Sequence, residues 1–185
     1  GVMKNTMEAA KYFKEASRFG SAKSCFMLGL LYERGDGVIR DPRQAVEYFL
    51  RATKRGHAGA LWKIGLYSMS GNVLVKDEKN AANAFHDSAI KGHAAGQYEY
   101  AKCLENGIGV DSKDETKAAS FYQKSADQQH PGGQCGLGIL FLEGRGVPKK
   151  DEKEAVRLFR LSAEKKFAEA QYRLGNCLLD GIGVD

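Results

Sequence analysis

Apolar residues recur along this chain in short blocks at helical spacing. Ser24–Glu33 (SCFMLGLLYE), Ala60–Met69 (ALWKIGLYSM) and Gln171–Asp180 (QYRLGNCLLD) share one arrangement, with a small residue in mid-block and apolar neighbours three or four positions away. That is the period of a helix with one buried face. A second kind of block alternates with the first and pairs an alanine with aromatic residues: Ala45 with Tyr48 and Phe49, Ala82 with Phe85, Ala118 with Phe121 and Tyr122, Ala155 with Phe159. Charged residues fill its other positions. The pattern predicts pairs of amphipathic helices.

The connectors are as regular as the blocks. Their first glycines are Gly35, Gly71, Gly107, Gly144 and Gly181, at steps of 36, 36, 37 and 37. A fixed period of about 20–50 residues marks a stack of supersecondary units. A Gly-x-Gly seen once would raise the prospect of a phosphate-cradling loop, but five loops in register, four of them Gly-x-Gly, predict a structural hinge through which the chain leaves one helix at positive φ. Repeat two departs from this, because Gly71 is followed by Asn72-Val73-Leu74 without a second glycine, so its loop is expected to take another path. The mid-block small residues Gly29, Gly65, Ala101, Gly138 and Gly175 predict close helix–helix approach. Otherwise glycine would cost up to ~1 kcal/mol in a helix without return. Asp41-Pro42 opens a second helix with a capping acid and a proline at the first turn, and Asp114 and Asp151 hold comparable places. Gly56 and Gly92 stop the second helices, whereas Gln129 and Lys166 stand at that position later on.

These signals predict an all-α fold, a right-handed αα-superhelix or solenoid of helix-turn-helix repeats with about nine main helices. Residues 1–185 read as a single array: a partial repeat over 1–20, repeats over about 21–56, 57–92, 93–129 and 130–166, and a partial repeat over 167–185. An array that starts and stops inside repeats is expected to be part of a longer protein.

Composition narrows the function. The net charge is +5, with bases and acids interleaved, as in KDEKN (Lys76–Asn80). Interleaving marks solvated helix faces, not the one-sided basic stripe of a nucleic-acid reader. No apolar run approaches the length that crosses a bilayer, so no direct membrane insertion is expected, and no signal peptide is visible at Gly1-Val2-Met3. The cysteines Cys25, Cys103, Cys135 and Cys177 form neither Cys-x-x-Cys nor a matched pair per repeat. They read as reduced, mostly buried thiols, which favours the cytoplasm without fixing a compartment.

His57, His93 and His130 fall at one position in three repeats. Stacked helices lie ~10 Å apart, too far for one zinc with ligands at ~2 Å, so these residues are expected to serve the start of the following helix. Trp62 shares its column with Phe26, Tyr98, Cys135 and Tyr172, a mostly aromatic series that reads as packing. Acid pairs such as Glu8 with Glu15, or Glu152 with Glu154, sit on charged faces that would not raise a carboxyl pKa. No nucleophile–base pair is evident. The expectation is therefore no enzyme, no catalytic residue, no cofactor and no metal.

The string Ala-x-x-x-x-Leu-Gly-x-x-Tyr-x-x-Gly-x-Gly-Val, followed by Asp, Ala and an aromatic, resembles the Sel-one-like repeat family, a relative of the tetratricopeptide repeats. Ala170–Val184 fits it at nearly every place, with Leu178 where the family has tyrosine, and Arg51-Ala52 to Ala60 fits the linker. The resemblance covers essentially the whole chain. It implies a helical superhelix that binds other proteins as an adaptor or scaffold, and it does not imply catalysis.

A solenoid offers a concave face built from one helix of each repeat, here expected to be the first. Two of its positions vary in type and lie three apart. One holds Met27, Lys63, Glu99, Gly136 and Arg173; the other holds Leu30, Leu66, Lys102, Ile139 and Asn176. Met27, Leu30, Lys63, Leu66, Glu99, Lys102, Ile139, Arg173 and Asn176 are the partner-binding candidates. They suit a protein or peptide segment with an apolar end and a charged middle. Two alternatives stand beside this: self-stacking through the repeat ends, and a regulatory or substrate-recruiting role attached to an enzyme domain elsewhere.

Overall fold

The computed structural model describes residues 5–184. Among them are ten helices and no strands: α1 (Thr6–Arg18), α2 (Ala22–Arg34), α3 (Pro42–Thr53), α4 (Ala58–Ser70), α5 (Glu78–Ile90), α6 (Ala94–Asn106), α7 (Glu115–Asp127), α8 (Pro131–Glu143), α9 (Glu152–Glu164) and α10 (Ala168–Asp180). The fold is an all-α helical repeat, with α1 a lone second helix, four first–second pairs, and α10 a lone first helix. The count is ten, not nine, because α10 keeps all thirteen residues and ends on a left-handed Gly181. The chain divides into two compact units, one up to Ser88 and one from Ala89.

In the N-terminal unit α2 packs on α1 and α3, and α3 packs on α4. Its core gathers Cys25, Ala45, Val46, Phe49, Ala60 and Ile64. The mid-helix glycines are where the second helix presses its aromatic ring. A Cβ at Gly29 would overlap the Phe49 ring, and one at Gly65 would stand 2.5 Å from the Phe85 ring. In the C-terminal unit α6 through α10 pack in succession, and a Cβ at Gly138 would stand 2.7 Å from the Phe159 ring. The third repeat has Ala101 in place of glycine, and its ring is Tyr122; both are buried in one cluster. Gly175 has nothing within 4 Å of a would-be Cβ, so close approach explains three of these glycines and not this one.

Each first helix ends on a left-handed glycine, from Gly35 (φ 83°) to Gly181 (φ 67°). The second loop glycine does a different job: it lets the loop lie on the opening turn of the preceding second helix. A Cβ at Gly37 would overlap the Thr6 carbonyl, one at Gly146 the Glu115 carbonyl, and one at Gly183 the Glu152 carbonyl. Second helices stop at positive φ on Gly56 and Gly92, and also on Gln129 (φ 60°) and Lys166 (φ 62°), so the left-handed stop survives without glycine.

The helix starts are capped from the sequence. Asp41, Asp114 and Asp151 accept from backbone N–H groups at the openings of α3, α7 and α9. His57, His93 and His130 cap α4, α6 and α8 through Nδ1, which accepts from the N–H of Ala60 (3.2 Å), Gly96 (3.1 Å) and Gly133 (3.3 Å). An accepting Nδ1 requires a neutral ring with its proton on Nε2. The His57 ring stacks on Phe26 at 4.3 Å between centroids, and the His130 ring tilts against Tyr98 at 5.3 Å.

Two expected outcomes follow from this packing. Gly29→Ala and Gly146→Ala should each lower stability by ~1–3 kcal/mol, through overpacking against Phe49 and through positive φ beside the Glu115 carbonyl. Gly175→Ala should raise stability by up to ~1 kcal/mol on helix propensity alone. Denaturant midpoints distinguish these, and equal shifts at the three positions would contradict the packing assigned to them.

The histidine caps predict a pH dependence. Burial, aided by Lys23, lowers the pKa of His57; burial, aided by His93 and Lys165, lowers that of His130. A folded value below the unfolded one, ~6.5, means that stability is complete above ~6.5 and is lost as the pH falls through the folded value. The melting temperature should therefore drop between pH 7 and pH 5. His57→Asn with His130→Asn, which keeps a capping acceptor that does not titrate, should flatten that slope; an unchanged slope would remove the caps from the account.

Candidate functional site

First helices present the candidate residues, and each unit displays its own set. In the N-terminal unit Met27 on α2 is 36% exposed, while Leu30 is half-buried against the core. Lys63 on α4 is already engaged. Its Nζ lies 2.6 Å from Glu33 Oε2, with both side chains mostly covered, and it sits 5.2 Å from the Trp62 ring centroid. Glu33 also accepts from the Tyr67 hydroxyl at 2.9 Å. Burial and this bond hold the Tyr67 hydroxyl protonated well above its usual range. Leu66 lines a surface groove with Pro42, Tyr67 and Val73.

In the C-terminal unit Glu99 pairs with Lys102 at 3.0 Å, and Lys102 Nζ lies 5.1 Å from the Tyr98 ring centroid. Ile139 is half-buried against the core around Phe159. Arg173 pairs with Glu169 at 2.7 Å, and Asn176 is half-buried. The position shared by Lys63, Glu99 and Arg173 is less free than its variety suggests. Gly136 there is buried, and its Cβ would stand 2.5 Å from the Tyr122 ring. Variation at this column is partly traded against the preceding second helix.

Sequence reasoning missed the polar network of the C-terminal unit. Arg145, the residue between two loop glycines, reaches Glu143 (2.6 Å), Glu115 (2.8 Å) and Glu105 (2.9 Å). Glu105 accepts from the Tyr122 hydroxyl at 2.7 Å. The one available signal was that Glu33 and Glu105 occupy the same place, two residues before the first loop glycine. Also missed were buried serines on second helices. Ser88, Ser125 and Ser162 donate to the carbonyls of Ala58, Ala94 and Pro131, each at 2.8 Å, pinning each second helix to the opening turn of its own partner.

None of the four cysteines is in a disulfide and all are buried, and burial pushes the Cys135 thiol up to about 12, so it stays protonated and non-nucleophilic near neutral pH. Among the described residues no three His, Cys, Asp or Glu side chains are placed to hold a metal ion. No helix among them is long and apolar enough to cross a membrane.

Solved structures similar to this chain are built the same way. One, a protective antigen called c5321, present in uropathogenic Escherichia coli strains and displaying an SLR fold, is 28% identical with a TM-score of 0.84 over the whole of this chain. This chain spans 39% of that protein's length. A Sel1 repeat protein from Oxalobacter formigenes is 23% identical, with a TM-score of 0.82 over 99% of this chain and 77% of its own. None of the curated proteins matches the chain in sequence. The Sel1 repeat model matches residues 1–20, 22–57, 94–130, 131–167 and 168–185. It passes over 58–93, the unit whose loop lacks the second glycine. Sel1 repeats are in general noncatalytic, helical protein–protein interaction units. With the model matched on both sides of that one divergent unit, and with hinge glycines, capped helix pairs and ring-on-glycine contacts in place, the chain belongs to the Sel1 repeat family.

Proposed function

We propose that this chain is a noncatalytic scaffold that captures a protein segment on the first-helix faces of its repeats, the concave side expected of such arrays. The observation that carries the reading is the side-chain variety at two first-helix positions three residues apart, beside neighbours that stay constant because they pack. In the N-terminal unit Met27, Leu30 and Leu66 would anchor an apolar part of the partner. In the C-terminal unit Lys102, Glu99, Arg173 and Asn176 would set register, with Ile139 adding an apolar contact. The Lys63–Glu33 pair is counted as internal support for Leu66 rather than as an open charge. Charged contacts of this exposed kind govern specificity and rate more than raw affinity.

The test is a partner recovered with the wild-type chain and characterised against variants that melt normally. Met27→Asp should weaken binding at least tenfold at any salt. Lys102→Glu should weaken it more at low salt than at high salt, because exposed charges are screened over ~8 Å at physiological ionic strength. A partner indifferent to both substitutions would move the contact to the second helices or the repeat ends and would refute the first-helix reading.

A further inference from the structure

The groove beside Leu66 occurs where the repeat pattern breaks. In the C-terminal unit Gly146 lies against the Glu115 carbonyl, and the adjacent Arg145 ties that loop to Glu105 and Glu115. The corresponding loop of the N-terminal unit has Asn72 in place of Arg145 and Val73 in place of Gly146, and the helix it faces opens on Pro42 where the other opens on Glu115. Val73 is not at positive φ, and a side chain cannot take the place against the carbonyl that glycine takes. Glu33, the counterpart of Glu105, is held instead from α4 by Lys63 and Tyr67. The counterparts of Arg145 and Glu115 are thus uncharged here, and an open groove of about 610 Å³ remains, within the range of small binding sites.

Its chemistry also differs from the matching spaces in the other unit. Those are lined by charged stretches, Lys113–Thr116 beside Gly146 and Lys149–Lys153 beside Gly183. Here the walls are Pro42, Leu66, Val73 and the Tyr67 ring. Arg40 stands at the edge: its Nε donates to the Glu33 carbonyl at 3.1 Å, and its guanidinium makes no ion pair among the described residues. Glu33 is the groove's one acid and is neutralised by Lys63, which leaves Arg40 as a net positive charge beside an apolar trough.

We propose that this groove docks an acidic peptide segment carrying one large apolar side chain: the side chain between Pro42, Leu66 and Val73, and a flanking carboxylate on Arg40. An arginine fork suits a carboxylate, and an apolar side chain in a desolvated pocket with a charge at its rim is the usual anatomy of a binding anchor. The proposal rests on the reading of the chain as a protein-binding scaffold and places one subsite in the divergent repeat.

The probe is a fluorescein-labelled peptide, Asp-Glu-Leu-Phe-Glu-Asp, titrated into the 185-residue chain by anisotropy at low salt. Two control peptides replace Leu-Phe by Ser-Ser or all acids by lysine. Saturable binding is expected, at least tenfold weaker for either control and at least tenfold weaker for Arg40→Glu and for Val73→Trp, which fills the trough. Arg160→Glu, at an exposed position of α9 in the other unit, should leave it within twofold. Amide shifts on the wild-type chain should centre on Tyr67, Ser70 and Val73, which keeps the test open if a variant misfolds. No saturable binding, equal affinity for the lysine peptide, indifference to both groove variants, or shifts centred elsewhere would each overturn the groove. Because Met27→Asp and Lys102→Glu spare these loop residues, the first-helix reading can fail while the groove stands, or the reverse.

Discussion

The contact on which the rest depends is an aromatic ring pressed onto a helix that has no side chain at that point. Phe49 on Gly29, Phe85 on Gly65 and Phe159 on Gly138 set the distance between the two helices of a pair. A glycine there forgoes up to ~1 kcal/mol of helix propensity, whereas losing a buried phenylalanine costs ~3–5 kcal/mol, so the ring decides the outcome. Where the third repeat keeps Ala101, the ring is Tyr122, whose hydroxyl reaches Glu105. That acid in turn receives Arg145 from the next loop. A change at the packing contact thus brings a polar tie between consecutive repeats with it.

Once the pair spacing is set, the stacking contacts follow. The second helix is pinned at its far end by Ser88, Ser125 or Ser162 on the carbonyl of the first residue of its partner. The next first helix begins one residue after a left-handed stop, with a histidine cap whose ring lies on the aromatic of the preceding repeat. One imidazole therefore serves two functions, as acceptor for a free N–H and as packing surface for Phe26 or Tyr98. The accepting role requires a neutral ring, which ties the start of these helices to proton concentration in a way that a serine cap such as Ser21 does not.

Much of this was legible in the residues because it repeats. Loop glycines, aspartate caps, mid-helix glycines and the histidine column each recur at fixed steps, and a physical demand that returns three to five times is hard to misread. The stops at Gln129 and Lys166 kept the conformation while losing glycine, so only the period pointed to them. The buried serines were hidden because serine on a charged helix carries no periodic apolar mark, and their partners lie 30 or 31 residues away. The first-helix columns were the hardest part. Type variation there does not mean freedom from packing: at Gly136 the Tyr122 ring fills the place of a side chain, and Lys63 is held by Glu33.

That distinction governs where recognition can arise in a repeat protein. A varied residue signals recognition only if its neighbours have not changed in step with it. Arg145 has changed together with Glu115, and with Glu105 the result is a closed ionic tie that consumes its own charges. At the matching junction of the N-terminal unit, Asn72, Val73 and Pro42 have replaced the arginine, the second glycine and the acid together, and none of the described residues fills the space. Glu33 is satisfied from α4, so the loop owes it no partner, while Arg40 keeps a charge that the fold does not use. Gly37, Gly146 and Gly183 each close a junction by lying against the opening turn of the preceding second helix. An unclosed junction with an apolar wall and an unpaired guanidinium is therefore where a partner gains the most from binding and the fold loses the least.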